Sequence, residues 1–359
     1  MILVLLIMGF LVGFIAYWRS TNDCDRKTGA PANPMKAIVH CEYGGPEVLT
    51  LTDVEKPVPT DNQVLVKVRA ASLNPLDLMV RGPWLIRPLS GMRKPKDTRL
   101  GVDYSGIVEA VGKNVTQFKP GDEVFGGKNG AVAEYVCVLA DRAVTFKPPN
   151  MTFEQAAAVP VAALTALQGL RDKGKIKAGQ KVLVNGASGG VGTFAVQIAK
   201  SFGAEVTAVC STRNLEMVRS IGADHVIDYT KEDFTQTDQR YDLIYDLVGN
   251  HSFSERRRIL TPNGICVMAG VGGAGWHDGM AGRLVGELNA YVGSWFVSQK
   301  FIAYIAEFNK ADIAILGDLM RDGKMTPVID KTYKLNDVPA ALRYLETGHA
   351  RGKVVITVE

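Results

Sequence analysis

The sequence predicts an α/β chain: one transmembrane helix, then a small β-rich unit, then a doubly wound parallel sheet. Three observations carry this expectation. Residues 1–18, MILVLLIMGFLVGFIAYW, hold no charged side chain. Between about residues 35 and 147, short alternating runs such as QVLVKVRAAS (63–72) and AVAEYVCVLA (131–140) are separated by turn signals such as KPGDEVFGG (119–127). After Pro160 the strand-like runs KVLVNG, EVTAVC, HVIDY, DLIYDLVG and ICVMAG alternate with helical stretches such as 191–202. That alternation is the texture of a parallel sheet covered by helices on both faces.

The apolar start is long enough to cross a bilayer, because 18 residues at 1.5 Å each span about 27 Å. Eleven of them are Leu, Ile, Val or Phe, which favours insertion by on the order of 3 to 7 kcal/mol. A cleaved signal peptide is the rival reading. The segment lacks a basic start and an A-x-A-like cleavage site, and it ends in Tyr17 and Trp18, residues suited to an interface. Arg19, Arg26 and Lys27 follow it and no basic residue precedes it. The positive-inside rule therefore predicts a single-pass anchor with the remaining chain on the cytoplasmic side. The polar stretch STNDCDRKTGAPANP (20–34) reads as a tether.

Bulk composition narrows the function. At 359 residues the chain is long enough for about two domains at roughly 100 to 200 residues each. Its 41 Lys and Arg against 37 Asp and Glu give a net charge of +4 with no basic block, so nucleic acid is not an expected partner. The five cysteines, Cys24, Cys41, Cys137, Cys210 and Cys266, are odd in number and form no C-x-x-C pair. This spacing predicts reduced thiols and neither a disulfide framework nor a zinc cage.

The chemistry-bearing stretch is KVLVNGASGGVGTFAVQIAK (181–200). An apolar strand, a glycine-rich bend and a helix start are the parts of a dinucleotide-binding unit, where helix amides meet a pyrophosphate and glycines let it approach the backbone. Ala187 takes the first position of G-x-G-x-x-G, with Gly189 and Gly192 at the second and third. An NAD-preferring unit ends its second strand in a carboxylate. Here EVTAVC runs into Ser211, Thr212 and Arg213. Hydroxyls and a guanidinium suit a 2′-phosphate instead, which predicts NADPH. The plainer alternative makes Ser211 or Thr212 a helix cap and Arg213 a solvated charge.

Six ordered stretches resemble the zinc-independent quinone oxidoreductases of the medium-chain dehydrogenase/reductase superfamily, which include zeta-crystallin and the reticulon-interacting mitochondrial reductase. They are MKAIVHCEYGGPEVL (35–49), SLNPLDLMVRG (72–82), GVDYSGIVEAVG (101–112), NGASGGVG (185–192), IGADHVIDY (221–229) and GHARGKVVITV (348–358). The resemblance implies a GroES-like domain (35–158), a Rossmann domain (159–305) and a return segment (306–359) that completes the first domain. The expected active site lies in the cleft between the two. It implies NADPH-dependent reduction of a small-molecule quinone or α,β-unsaturated carbonyl, and leaves a homodimer open.

Carried over by position, Thr165 sits near the nicotinamide, and Ala187, Ser188, Gly189, Gly190, Val191 and Gly192 lie beneath the pyrophosphate. Ser211, Arg213 and Tyr229 surround the adenosine phosphate, and Leu247, Val248, Gly249, Gly270 and Val271 line ribose and ring. Zinc members place Cys and Gly-His-Glu where this chain has Asn74 and Gly101, Val102 and Asp103, so no metal is expected. His40, His225, His251, His277 and His349 are scattered and read as surface or satisfied residues.

Without a metal the hydride comes from the cofactor, and protein groups orient the acceptor and stabilise charge on its oxygen. Asn74 is the candidate donor to that oxygen, Asp77 an orienting group and Arg81 a stabiliser of enolate or hydroquinone charge. Their plain alternatives are a strand end, a helix N-terminus and a C-terminal charge. The family often has Tyr a few residues later; this chain has Trp84. The aromatic run YVGSWFVSQKFIAYIAEF (291–308) suits an apolar acceptor pocket, a bilayer contact, or a core helix with a domain-crossing segment. A dinucleotide-binding scaffold or redox sensor without turnover is the alternative function.

Overall fold

The computed structural model describes Cys24 and residues 29–82, 87–269 and 292–358. The apolar segment 1–18, Trp84, Gly270, Val271 and His277 lie outside the described residues. Among the described residues no helix is long and apolar enough to cross a membrane.

Two sheets organise the chain. The first is built on β3 (Gln63–Leu73), which pairs antiparallel with β4 (Asp103–Val111). The sheet continues through β5 (Glu123–Gly127) to β7 (Val144–Phe146), while β6 (Tyr135–Leu139) pairs with β3. Side chains alternate across a strand, so Val64, Val66 and Val68 of β3 share one face. They pack with Tyr104, Val108, Val124, Val136 and Val138 into a buried cluster. Register shifts at 65/66 and 68/70 bend the long β3 strand. A separate hairpin joins β1 (Pro34–Val39) to β2 (Thr50–Glu55).

The chain end returns to this sheet. β14 (Ile329–Lys334) and β15 (Lys353–Thr357) are joined by α7 (Val338–Glu346), and β15 lies antiparallel against β3 with Val354 opposite Leu73. This pairing brings the start of β15 beside the loop that begins at Asn74.

The second sheet is wholly parallel, in the order β10 (His225–Asp228), β9 (Glu205–Cys210), β8 (Lys181–Asn185), β11 (Tyr241–Asp246), β12 (Leu260–Met268), β13 (Lys300–Ala303). In sequence order this is 3-2-1-4-5-6, and the order reverses between β8 and β11, where open α/β sheets bind their ligands. The helix α3 (Gly190–Ser201) follows β8 and buries Phe194, Ala195, Val196, Ile198 and Ala199 completely. Helix α2 (Pro160–Gln168) enters this half, and its Val161 N–H donates to Asp103 Oδ1 of the first sheet at 2.9 Å.

Three expectations need correction. KFIA, within the aromatic run, is the sixth strand and not a helix; its Phe301 is buried against Phe253. Cys24 and Cys41 form a disulfide, so only Cys137, Cys210 and Cys266 are free. The two residues are 17 apart in sequence, and proximity arises because Cys24 lies against the β1 hairpin, packed with Met35, Val39 and Tyr135. His40 is neither a surface nor a satisfied histidine. It is buried, burial lowers its pKa, and its Nδ1 has no hydrogen-bond partner among the described residues.

Candidate active site

The dinucleotide turn begins where β8 ends. Gly186 has φ +85°, a left-handed conformation that glycine adopts without strain. Its role as the tight-turn glycine was missed in favour of Ala187. Ala187 is fully buried, and its N–H donates to Val209 O at 3.0 Å. Ala187 therefore supports the turn from beneath. A Cβ on Gly192 would come within 2.1 Å of Gly186 O, so only glycine lets α3 pack this close. Gly189 is the N-cap of α3 with no side-chain cap, which leaves first-turn amides for an anion.

The switch point itself is polar. Asn185 Nδ2 donates to Asp246 Oδ1 at 2.9 Å and to Asn250 Oδ1 at 3.0 Å, joining the ends of β8 and β11. Asp246 Oδ1 also accepts from the N–H groups of Val248 and Gly249, and Oδ2 accepts from Arg256 Nη1 at 2.8 Å. These bonds shape the loop of Leu247, Val248 and Gly249. Thr165 lies on α2, part-exposed. Its hydroxyl donates to Val161 O, and its carbonyl accepts from Tyr245 and Tyr304.

At the far end of β9, Ser211 and Arg213 follow Cys210, whose carbonyl accepts from the N–H of Tyr229; Tyr229 follows β10 and is 59% exposed. No carboxylate ends β9. The neighbouring one, Asp228, accepts from Thr212 Oγ1 at 2.5 Å and from Thr230, which holds it down to about 2. Asn214 Nδ2 donates to Ser188 Oγ at 3.0 Å and Ser211 Oγ at 3.1 Å. Arg213 Nη2 donates to His349 O at 2.8 Å in the loop before β15.

Between the two sheets lies a buried ionic cluster. Lys353 Nζ donates to Asn74 Oδ1 at 2.5 Å and to Asp103 Oδ2 at 3.2 Å. Asn74 Nδ2 donates to Asp103 Oδ2 at 2.9 Å, and Ser72 Oγ does so at 3.0 Å. Lys353 and Asp103 are almost wholly buried, which a charge tolerates only when paired and hydrogen-bonded. A Cβ on Gly190 would lie 3.2 Å from Lys353 Cδ, so the lysine stem runs against the dinucleotide turn.

Asp77 orients this floor from the side. Its Oδ2 accepts from Asn74 N at 2.7 Å and its Oδ1 from Gly101 N at 3.0 Å. Burial pushes its carboxyl up to about 7 against the pull of those two donors, with Asp103 adding repulsion. Arg81 stands apart, its Nε donating to Glu346 Oε1 at 2.5 Å at the end of α7.

The structure thus gathers Asn74 and Asp77 with two residues that sequence reasoning did not select, Lys353 and Asp103. A signal existed for Lys353, which opens the apolar run KVVI, where an ionised side chain needs a partner. Sequence reasoning likewise did not select Asn214.

Asp103 accepts from Ser72, Asn74, Lys353 and Val161, so its oxygens are engaged. Val102 offers no ligand atom, and Asn74 Oδ1 faces an ammonium. This donor set does not fit a catalytic zinc ion.

Comparison with known proteins follows the same outline. Residues 60–149 match the family model described as alcohol dehydrogenase GroES-like domain, and 221–356 that described as zinc-binding dehydrogenase. The chain is similar to the mitochondrial NAD(P)H oxidoreductase RTN4IP1 of Homo sapiens, 36% identical over 389 residues, covering 96% of each chain. It is 34% identical to the chloroplastic NADPH-dependent alkenal/one oxidoreductase of Arabidopsis thaliana, covering 90% of this chain and 79% of that one. The quinone oxidoreductase structure from Coxiella burnetii superposes with a TM-score of 0.79 at 33% identity, covering 91% of this chain and all of the other.

Proposed function

Because the chain belongs to the quinone oxidoreductase-like family of the medium-chain dehydrogenase/reductase superfamily, we propose that it is an NADPH-dependent reductase acting on a quinone or an α,β-unsaturated carbonyl without a metal. The names of its Arabidopsis and Coxiella relatives support that acceptor class, and the former supports the cofactor. NADPH, when bound, supplies the hydride.

The observation that carries the reading is the Lys353–Asn74–Asp103 cluster set against the dinucleotide turn. An amide carries two N–H groups, and Asp103 takes one from Asn74. The other is the donor we assign to the acceptor's oxygen. The Lys353 ammonium on Oδ1 draws electron density from the amide and strengthens that N–H as charge develops. Asp77 fixes the Asn74 backbone, and Arg81 acts through Glu346 to hold the 75–81 turn against α7. Ser211, Arg213 and Tyr229 receive the 2′-phosphate; Gly189, Gly190, Val191 and Gly192 receive the pyrophosphate; Thr165 and Leu247, Val248 and Gly249 line the ring and ribose. Gly270 and Val271 belong to the same proposal.

Steady-state kinetics of Asn74→Ala test the assignment. Loss of one oxyanion donor predicts a fall in kcat of about 10²- to 10³-fold with NADPH affinity retained. An unchanged kcat removes Asn74 from the chemistry.

We propose further that residues 1–18 anchor the protein in a bilayer, on the strength of their uninterrupted apolar composition. The basic residues that follow favour the reducing side of the membrane, whereas the Cys24–Cys41 disulfide favours an oxidising one.

A further inference from the structure

One buried amide ties together the adenosine end of the cleft. Asn214 is 4% exposed. Its Nδ2 donates to Ser188 of the phosphate turn and to Ser211 at the end of β9, at 3.0 and 3.1 Å. Its Oδ1 accepts from Arg351 Nε, in the loop before β15, at 2.8 Å. A guanidinium has no acceptor atom, so Oδ1 must face Arg351 and Nδ2 the two hydroxyls. Around this centre the two halves of the molecule grip each other reciprocally. Arg351 Nη2 donates to Arg213 O at 3.3 Å, and Arg213 Nη2 donates to His349 O at 2.8 Å.

We propose that Asn214 is a positioning residue for 2′-phosphate discrimination: through Ser188, Ser211 and Arg351 it fixes the spacing between the phosphate turn and the Arg213 guanidinium. This rests on the NADPH reading above and extends it to a residue outside that contact set. The choice of amide has a physical reason. An aspartate could hold the same three neighbours, since both serine hydroxyls can rotate to donate and Arg351 would pair with a carboxylate. It would also set a negative charge behind the seat of a phosphate dianion. Asparagine is neutral and still holds Arg351.

Fluorescence titration of the full chain with NADPH and with NADH, for wild type, Asn214→Asp, Arg351→Ala and Arg213→Ala, tests the proposal. The expected result for Asn214→Asp is folding stability close to wild type, NADPH bound at least about tenfold more weakly (a factor equal to about 1.4 kcal/mol), and NADH nearly unchanged. Arg351 is exposed, so its replacement tolerates folding; it should weaken NADPH several-fold with little effect on NADH. If both variants keep the wild-type NADPH to NADH affinity ratio while Arg213→Ala lowers it, Asn214 is merely structural and the inference is overturned, with the cofactor reading intact. If Arg213→Ala also leaves the ratio unchanged, the cofactor reading fails and the inference falls with it.

Discussion

Lys353 donates to Asn74 Oδ1 at 2.5 Å, a bond between residues 279 positions apart in the chain. It exists because β15 returns to pair with β3, setting Val354 opposite Leu73. The candidate oxyanion donor is thus held by the last strand of the protein, so the proposed role of Asn74 depends on the fold closing on itself.

Replacing Lys353 by Met should expose that dependence. Asp103 would stay buried without its cation, and removing one partner of a buried pair costs about 3 to 5 kcal/mol. Urea unfolding should report a loss of that size, and Asp103→Asn in the same background should recover a large part of it. A loss under about 1 kcal/mol, the range of surface pairs, would show that the pair is not buried as described.

Asp77 gives a signature in pH. Its folded pKa of about 7 lies above the unfolded value of about 3.9. The native state therefore holds the proton more tightly. Its contribution to stability is fully present below about pH 4 and is lost as pH rises through 7, at up to about 1.4 kcal/mol per unit. Asp77→Asn is expected to be less stable than wild type, because one of two backbone N–H groups loses its acceptor. The gap should narrow between pH 5 and 7. Parallel stability curves for the two proteins would rule out a raised Asp77.

The thiols offer a direct count. Denatured without reductant, the protein should show three reactive thiols, Cys137, Cys210 and Cys266, and five after reduction. In the native state Cys210 and Cys266 should react slowly, since burial pushes both thiols up, Cys210 to about 11. Five reactive thiols in the denatured, unreduced protein would contradict the Cys24–Cys41 disulfide and point to a reducing compartment.

Much of this molecule is legible in its sequence, and the parts that are not share a cause. KVLVNG and the helix after it announce the dinucleotide turn because local periodicity and glycine placement act over a few residues. Asn74 and Asp77 are visible for the same reason, beside Pro75 in a strand-to-turn transition. Lys353 and Asp103 are invisible as a pair because pairing is set by a strand register between distant segments. Strand β13 is hidden in an aromatic run whose four strand residues carry no clear alternation. Asn214 shows its role only when Arg351 arrives from the return segment.

The central claim is acceptor-dependent hydride transfer, and the direct measurement is NADPH oxidation by the purified protein across a panel of quinones and enals. The account predicts cofactor consumption that depends on acceptor and protein together, and that collapses in Asn74→Ala while NADPH still binds. Tight NADPH binding with no oxidation by any acceptor would contradict it, and would make the protein a cofactor-holding scaffold.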